Sequence, residues 1–312
     1  MRLSTALFFA LISCSNAFGW GCEGHQIVAL IAVQHLKPEV RDAVYQLLKE
    51  HPIDPSLRRF CQPVAADPVL DAATWADDSK RAEGTGTWHY LDIPRGVEHA
   101  DLMKYCAPVG EHVAGKDRAG CLLTGLQYEF DILKDRNRSP AERTTALRYV
   151  IHFIGDLHQP LHTTTNDDQG GNCTAVTLFE SSDRANLHGA WDYGIIAHDL
   201  AEKHQAPQQL AAQLDREYQS KGRKWLDEPL DFPAWIQEGH RLAEKVTYDK
   251  LRPKLPVAPA ANGPGCAAER EKSTALKIDL DKKYAAAAMP VIGQQLATAG
   301  YRLADVLNTA LR

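Results

Sequence analysis

The stretch from Ser139 to His162 sets the terms for the whole fold. Ser139 fits an N-cap, Pro140 fits a first turn and Glu142 completes a capping box. A helix is therefore expected to run from there toward Asp156, and Pro160 ends or kinks it. Leu147, Val150, Ile151, Phe153 and Ile154 spread apolar surface over several sides, the mark of a central, buried helix. Yet the same helix carries His152 and Asp156, four residues apart and so on one face about one turn apart. A buried His or Asp is costly without compensation, so the rest of the chain must supply a salt bridge, hydrogen bonds or a metal.

Most other segments also carry helical periodicity. Residues 24–36 keep Ile27, Leu30 and Ile31 near one face, and 40–49 repeat Val40, Val44, Leu47 and Leu48 at helical spacing. Further helices are expected near 68–80, 117–134, 188–202, 206–222, 232–250 and 290–311, and the thin strand signal is limited to Ala175–Phe179. Residues 253–265 hold four prolines and two glycines and read as a surface loop rather than a linker. With 312 residues, 44% hydrophobic and 24% charged, a disordered, collagen-like or coiled-coil chain is excluded. No internal repeat is visible, and a mostly α, single-domain, multi-helix fold with minimal β is expected.

The N-terminus has the pattern of a secretory signal over residues 1–19: a positive start at Arg2, an apolar core from Ala6 to Ile12 and a small-x-small site at Ala17-Phe18-Gly19. The mature chain, 20–312, would begin at Trp20 and be secreted or periplasmic. Leu11-Ile12-Ser13-Cys14 also resembles a lipoprotein box that would place a lipidated Cys14 at the terminus. No other apolar run reaches the ~18–20 residues a membrane span needs, so a soluble mature protein without a span is expected, and the chain is expected to be a monomer. Six cysteines remain after the signal: Cys22, Cys61, Cys106, Cys121, Cys173 and Cys266. Their even number in an exported chain suggests disulfides, with Cys106–Cys121 a plausible short loop and the rest open. The formal charge of −5 becomes −6 when Arg2 leaves with the signal, 34 basic against 40 acidic residues. That balance argues against a basic-patch nucleic-acid binder but not against an enzyme for phosphates, because bound metals can supply positive charge.

The His and Asp placement carries the chemistry. His188 and Asp192 repeat the four-residue spacing of His152 and Asp156, and so do His158 and His162 around Pro160. Each one singly reads most plainly as a hydrogen-bonded core residue. As a set they fit zinc, whose usual ligands outside thiolate sites are imidazole and carboxylate, and several pairs imply more than one ion. Three motifs join them: Trp20-Gly21-Cys22-Glu23-Gly24-His25, Thr74-Trp75-Ala76-Asp77 and Thr87-Trp88-His89-Tyr90-Leu91-Asp92.

With His152–His162, Gly170-Gly171-Asn172, Asn186–Asp192 and Ala299–Asn308 following in order, the chain resembles the S1/P1 family of zinc-dependent nucleases over essentially its entire mature length. That family shares a three-zinc core with the bacterial zinc phospholipases C, so the resemblance implies a phospholipase C/P1 nuclease-like fold. It implies one zinc on Asp77, His89, His152 and Asp156, and a second on the free α-amine and carbonyl of Trp20, His25 and the same Asp156. His162, His188 and Asp192 would take the third. Metal ions so grouped acidify water and steady phosphoryl oxygens in phosphodiester hydrolysis. Three Zn2+ would also add six positive charges to the mature −6.

The resemblance further implies that Tyr90 stacks on a base, Asp92 hydrogen-bonds its edge and Asn172 helps to position phosphate. Stacking suits a single strand, whose bases are free. The plainer readings are core packing for Tyr90, a helix cap for Asp92 and a turn at Gly170-Gly171. Asp77 and Asp156 are the expected catalytic carboxylates. Lys80 stands where the family often has a phosphate-contacting arginine, as a point charge without the bidentate fork, and Arg81 is a possible substitute. His158 is expected to pack or to support a ligand, and the glycosylation sequons at Asn137 and Asn172 are disfavoured by Pro140 and by position. The implied activity is endonucleolytic cleavage of single-stranded DNA and RNA to 5′-phosphate products, with 3′-nucleotidase activity. The alternatives are a zinc phospholipase C, which usually closes the third site with Glu where this chain has Asp192, and a non-catalytic zinc-binding protein of the same fold.

Overall fold

The N-terminal half of the chain places α1 (Cys22–Gln34), α2 (Pro38–Glu50), α3 (Pro68–Glu83), α4 (Leu122–Lys134) and α5 (Pro140–Leu157) around a shared core. The structure, a computed structural model, describes residues 20–57, 61–62, 66–181, 184–258 and 265–312. The expected signal over 1–19, with its cleavage site and Cys14, lies outside the described residues, as does part of the proline-rich loop. A small sheet of β1 (Ala175–Leu178) and β2 (Arg184–Asn186) follows, then α6 (Leu187–Gly189), a π turn over Ala190–Gly194 and α7 (Ile195–Glu202). The chain continues through α8 (Pro207–Trp225), α9 (Phe232–Leu242), a second π turn over Ala243–Tyr248, α10 (Gly265–Leu276), β3 (Asp279–Leu280) and α11 (Lys282–Ala310). The sheet order is β2-β1-β3, β1 running antiparallel to β2 and parallel to β3. Among the described residues no helix is long and apolar enough to cross a membrane.

α5 forms as its sequence requires. The Ser139 N–H donates to Glu142 Oε2 at 2.9 Å, and Ser139 Oγ in return accepts the Glu142 N–H at 3.3 Å. From Leu147 to Leu157 its apolar side chains are buried against α1, α2, α3, α4 and α11. Each such Leu, Ile, Val or Phe contributes roughly 1.5–3 kcal/mol of burial. Gln159 then caps a short 3-10 turn, Pro160–Thr163, which puts His162 just beyond the helix end.

Several boundaries differ from the sequence reading for identifiable reasons. The segment near 117–134 is helical only from Leu122, because the Cys106–Cys121 disulfide holds the chain extended into the helix start. The helix expected over 290–311 begins at Lys282, capped by Asp281 and running through Pro290. α10 opens at the edge of the proline-rich stretch, where no helix was expected, and the segments at 188–202 and 232–250 are each interrupted by a π turn. Strand pairing takes β1 where it was expected. The other cysteines pair as Cys22–Cys61 and Cys173–Cys266, and three disulfides suit an oxidising compartment.

One buried acid gives the fold a pH signature. Glu129 on α4 is 4% exposed, and its burial, opposed by Arg118 and reinforced by Glu83, pushes its carboxyl up to about 8. The unfolded chain ionises the same group near 4.5. Unfolding therefore releases a proton between those values, and this contribution to stability falls as pH rises through that window. Glu129→Gln is expected to melt higher than the parent near pH 8, with the advantage gone near pH 4. A melting difference independent of pH would show that Glu129 stays ionised in the fold.

Candidate metal centre

Seven elements deliver buried His and Asp side chains to one region. α5 contributes His152 and Asp156, α1 His25, α3 Asp77, the 3-10 turn Gly86–His89 contributes His89, and the turn after α5 contributes His162. His188 comes from α6 and Asp192 from the π turn that follows it. None of these side chains is more than 7% exposed. Three groups have donor atoms within 4.8 Å of one another: His25 with His152 and Asp156, Asp77 with His89 and His152, and His162 with His188 and Asp192.

Asp156 joins the first two groups. Its Oδ1 lies 3.3 Å from His25 Nε2, and its Oδ2 lies 3.0 Å from His89 Nδ1 and 3.2 Å from His152 Nε2. Asp77 stands 3.7 Å from His89 Nδ1 and 3.8 Å from His152 Nε2. The His25 and His152 rings stack with centroids 4.0 Å apart. Trp20 is fully buried at the start of α1, where the Gly21 N–H donates to the Asp192 carbonyl at 2.8 Å and draws this end of the chain onto the third group.

The chemistry of these donors fits a cation. His162 Nδ1 is 2.6 Å from the His89 carbonyl and His188 Nδ1 is 2.6 Å from the Gly170 carbonyl, so each Nδ1 is the donor. The two Nε2 atoms then face each other across 3.1 Å, beside Asp192, as lone pairs wherever Nδ1 carries the ring's single proton. Two facing lone pairs repel unless a positive ion shares them, and a carbonyl behind the other nitrogen is the usual support of a metal-bound imidazole. His152 Nδ1 is likewise donated to the Ala73 carbonyl, at 2.7 Å. Both ring nitrogens of His25, His89 Nε2 and Asp156 Oδ1 are buried with no hydrogen-bond partner.

Electrostatics points the same way. Burial, with His152 nearby, lowers His25 to about 4, and burial lowers His89 as well. Burial alone would lower His152, but Asp156 and Asp77 outweigh it and raise the ring to about 9. Burial drives Asp192 well above the ordinary carboxylate range, whereas the histidines overcome burial at Asp156 and hold it well below. The cluster thus bears carboxylates and imidazoles that strain against one another's charge states, a mismatch that a bound divalent ion removes.

Beside the cluster lies a cavity of about 300 Å³, lined among others by His89, His162, His188, Tyr90, Asp92 and Asn172. Tyr90 and Asp92 are half-buried, and burial followed by the Asp168 charge pushes Asp92 up to about 7. Asn172 Nδ2 donates to the Gln169 carbonyl at 2.9 Å. Lys80 Nζ lies 3.2 Å from Asp77 Oδ1, whereas Arg81 is exposed. His158 is satisfied apart from the cluster, donating to the Ile154 carbonyl and accepting from Arg302. Sequence reasoning missed Gln159, whose amide donates to Asp192 Oδ1. It also missed Asp168, buried under the Gly170-Gly171 loop. Gln159 stands inside the His152–His162 motif and could have been found there, but nothing in the sequence separates Asp168 from a loop aspartate.

The S1/P1 Nuclease family model matches residues 20–312. Endonuclease 2 of Arabidopsis thaliana is 28% identical over 304 residues, covering 96% of this chain and 92% of that protein. Nuclease S1 of Aspergillus oryzae is 27% identical, covering 93% and 91%, and Nuclease P1 of Penicillium citrinum is 25% identical, covering 93% and 97%.

Gly155 shows how tightly the cluster is set. A Cβ at this position would lie 2.6 Å from His25 Nδ1, so even a methyl group displaces the ring. Gly155→Ala is expected to fold but to retain at least one divalent ion fewer per chain, by elemental analysis after dialysis, than the parent. Equal metal content would remove His25 from the ligand set.

Proposed function

The chain belongs to the S1/P1 nuclease family, and from that premise we propose an exported, zinc-dependent endonuclease that cuts single-stranded DNA and RNA to 5′-phosphate products and also acts as a 3′-nucleotidase. The observation that carries this reading is the convergence of imidazole lone pairs and buried carboxylates beside a cavity walled by Tyr90, Asp92 and Asn172. Asp77, His89, His152 and Asp156 would hold one zinc. The freed amine and carbonyl of Trp20, with His25 and Asp156, would hold a second, and His162, His188 and Asp192 a third. Bound zinc supplies Lewis acidity and positive charge, which acidify water and steady the phosphodiester oxygens.

The protein's own groups do the rest. Asp77, with Lys80 Nζ on its Oδ1, orients the attacking water and accepts its proton at a carboxylate oxygen. Lys80 adds a positive charge toward phosphate as a point charge rather than a fork. Asp156 keeps the two ion positions that share it together. Tyr90 offers its face to a base, the Asp92 carboxylate accepts hydrogen bonds from the base edge, and Asn172 has an amide N–H left for a phosphate oxygen. A cavity of about 300 Å³ admits one nucleotide unit, so a duplex must unstack before it can enter. Cleavage after Gly19 would free the Trp20 amine, and three disulfides support export.

The direct test is cleavage of circular single-stranded DNA by protein beginning at Trp20, with EDTA and with zinc added back. Cutting that EDTA abolishes and zinc restores is expected, and no cutting by folded, zinc-loaded protein would overturn the reading and turn the assay to phospholipid. Asp156→Asn is expected to lose at least about 100-fold in rate together with bound zinc, because two ion positions share that carboxylate. Tyr90→Ala is expected to raise KM roughly 5- to 100-fold with kcat little changed, the equivalent of ~1–3 kcal/mol of stacking. An unchanged KM would return Tyr90 to core packing.

A further inference from the structure

The loop of residues 166–174 is wound around one side chain. Asp168 is fully buried, and its Oδ1 accepts the N–H of Asn166 at 3.0 Å and of Gly171 at 2.9 Å. Its Oδ2 accepts the Thr174 hydroxyl at 2.6 Å, and the Tyr248 hydroxyl reaches both oxygens at 2.9 and 3.1 Å. The Asp168 carbonyl takes the Cys173 N–H at 2.9 Å. The backbone needs such an anchor, because Asp167, Gln169, Gly170 and Gly171 all have positive φ, at 61°, 54°, 60° and 88°. Side chains at Asp167 and Gln169 make that conformation unfavourable in isolation.

What the loop presses against is the third group of candidate ligands. A Cβ on Gly170 would lie 2.5 Å from the Leu161 carbonyl and 3.3 Å from His188 Nδ1, so the bare backbone lies on the imidazole. The Gly170 carbonyl receives the His188 Nδ1–H and thereby fixes the tautomer whose Nε2 faces His162 and Asp192. Asn172, in the same loop, lines the cavity.

We infer that Asp168 is a positioning residue, whose buried carboxylate holds the 166–174 loop so that the Gly170 carbonyl fixes His188 and Asn172 meets substrate, and which thereby sets metal affinity at the His162–His188–Asp192 position. The inference rests on the proposed zinc reading of that position. Removing the carboxylate strips the Asn166 and Gly171 N–H groups and the Thr174 hydroxyl of their acceptor. The strained backbone then relaxes and the carbonyl leaves His188. Replacing it with an amide is milder, because the amide oxygen keeps the backbone donors while the Thr174 and Tyr248 hydroxyls turn to accept from its NH2.

The test titrates zinc into the metal-free mature protein against a competing chelator, with His188→Ala marking which binding step belongs to the third position. Asp168→Ala is expected to weaken that step roughly 10- to 100-fold, leave the other steps within about threefold and raise KM for single-stranded DNA. Asp168→Asn should fall closer to the parent. Leu214→Ala, in the α8 core, is the stability control: it should lower the melting temperature without moving zinc affinity. If Asp168→Ala does not fold, Tyr248→Phe and Thr174→Val, each removing one donor, should weaken the same step by smaller factors. Parental zinc affinity and KM in the folded variants, or an equal loss of that step in Leu214→Ala, would overturn the inference. A parent that lacks the step altogether would instead sink the zinc reading.

Discussion

A carboxylate sealed in the middle of a helical core is the constraint to which the other parts answer. Asp156 has no exposed surface, and the three imidazoles of His25, His89 and His152 crowd it within 3.3 Å. An isolated buried charge of this kind is prohibitively costly, so α1 and the turn before Tyr90 cannot dock without bringing their histidines to meet it, and the second carboxylate that α3 brings, Asp77, adds to the demand for positive charge. The apolar sides of α5 secure the packing, and its single polar face dictates what the neighbours must carry.

Rigidity behind the donors comes from the main chain. The carbonyls of Ala73, His89 and Gly170 each take one ring nitrogen, of His152, His162 and His188 respectively, and so decide which nitrogen is left to face inward. His89 serves twice, through its ring in one group and its carbonyl in another, which couples the paired positions to the third. Backbone carbonyls cannot be repositioned by rotamer changes, so imidazole orientation follows from helix and turn placement.

The parts of the fold governed by local chemistry were legible in the sequence. The capping box at Ser139, the buried character of α5 and the strand at Ala175 are written in adjacent residues. The i, i+4 spacing marked His152 with Asp156 and His188 with Asp192, but it also marked His158, which the fold uses elsewhere; His25, Asp77 and His89 were legible only through the ordered motifs and the family resemblance they carry. What was not legible depends on distant partners. α10 follows a proline-rich stretch and has no strong apolar stripe, and the start of α11 was hidden because Pro290 resembles a first-turn proline while the cap is Asp281. Cys22–Cys61 and Cys173–Cys266 bridge 39 and 93 residues, separations that only the assembled fold selects. Asp168 draws its meaning from Tyr248, contributed by a π turn 80 residues further on.

The glycines around the cluster mark where its packing leaves no room for a side chain. A methyl group on Gly155 would collide with His25, one on Gly24 with Trp20 at 2.7 Å, and one on Gly300 with Ile31 at 2.6 Å. His25 and Ile31 of α1 therefore pack directly on the backbone of α5 and α11, while Trp20 folds back onto α1 itself. Gly170 and Gly171 extend the same restriction to the loop that carries Asn172, where an added Cβ would lie 2.5 Å from the Leu161 carbonyl and 3.1 Å from the His188 main-chain nitrogen respectively. A change in the Asn172 wall is thus passed through Gly170 to His188, so the rim of the cavity and the His and Asp assembly beneath it move together.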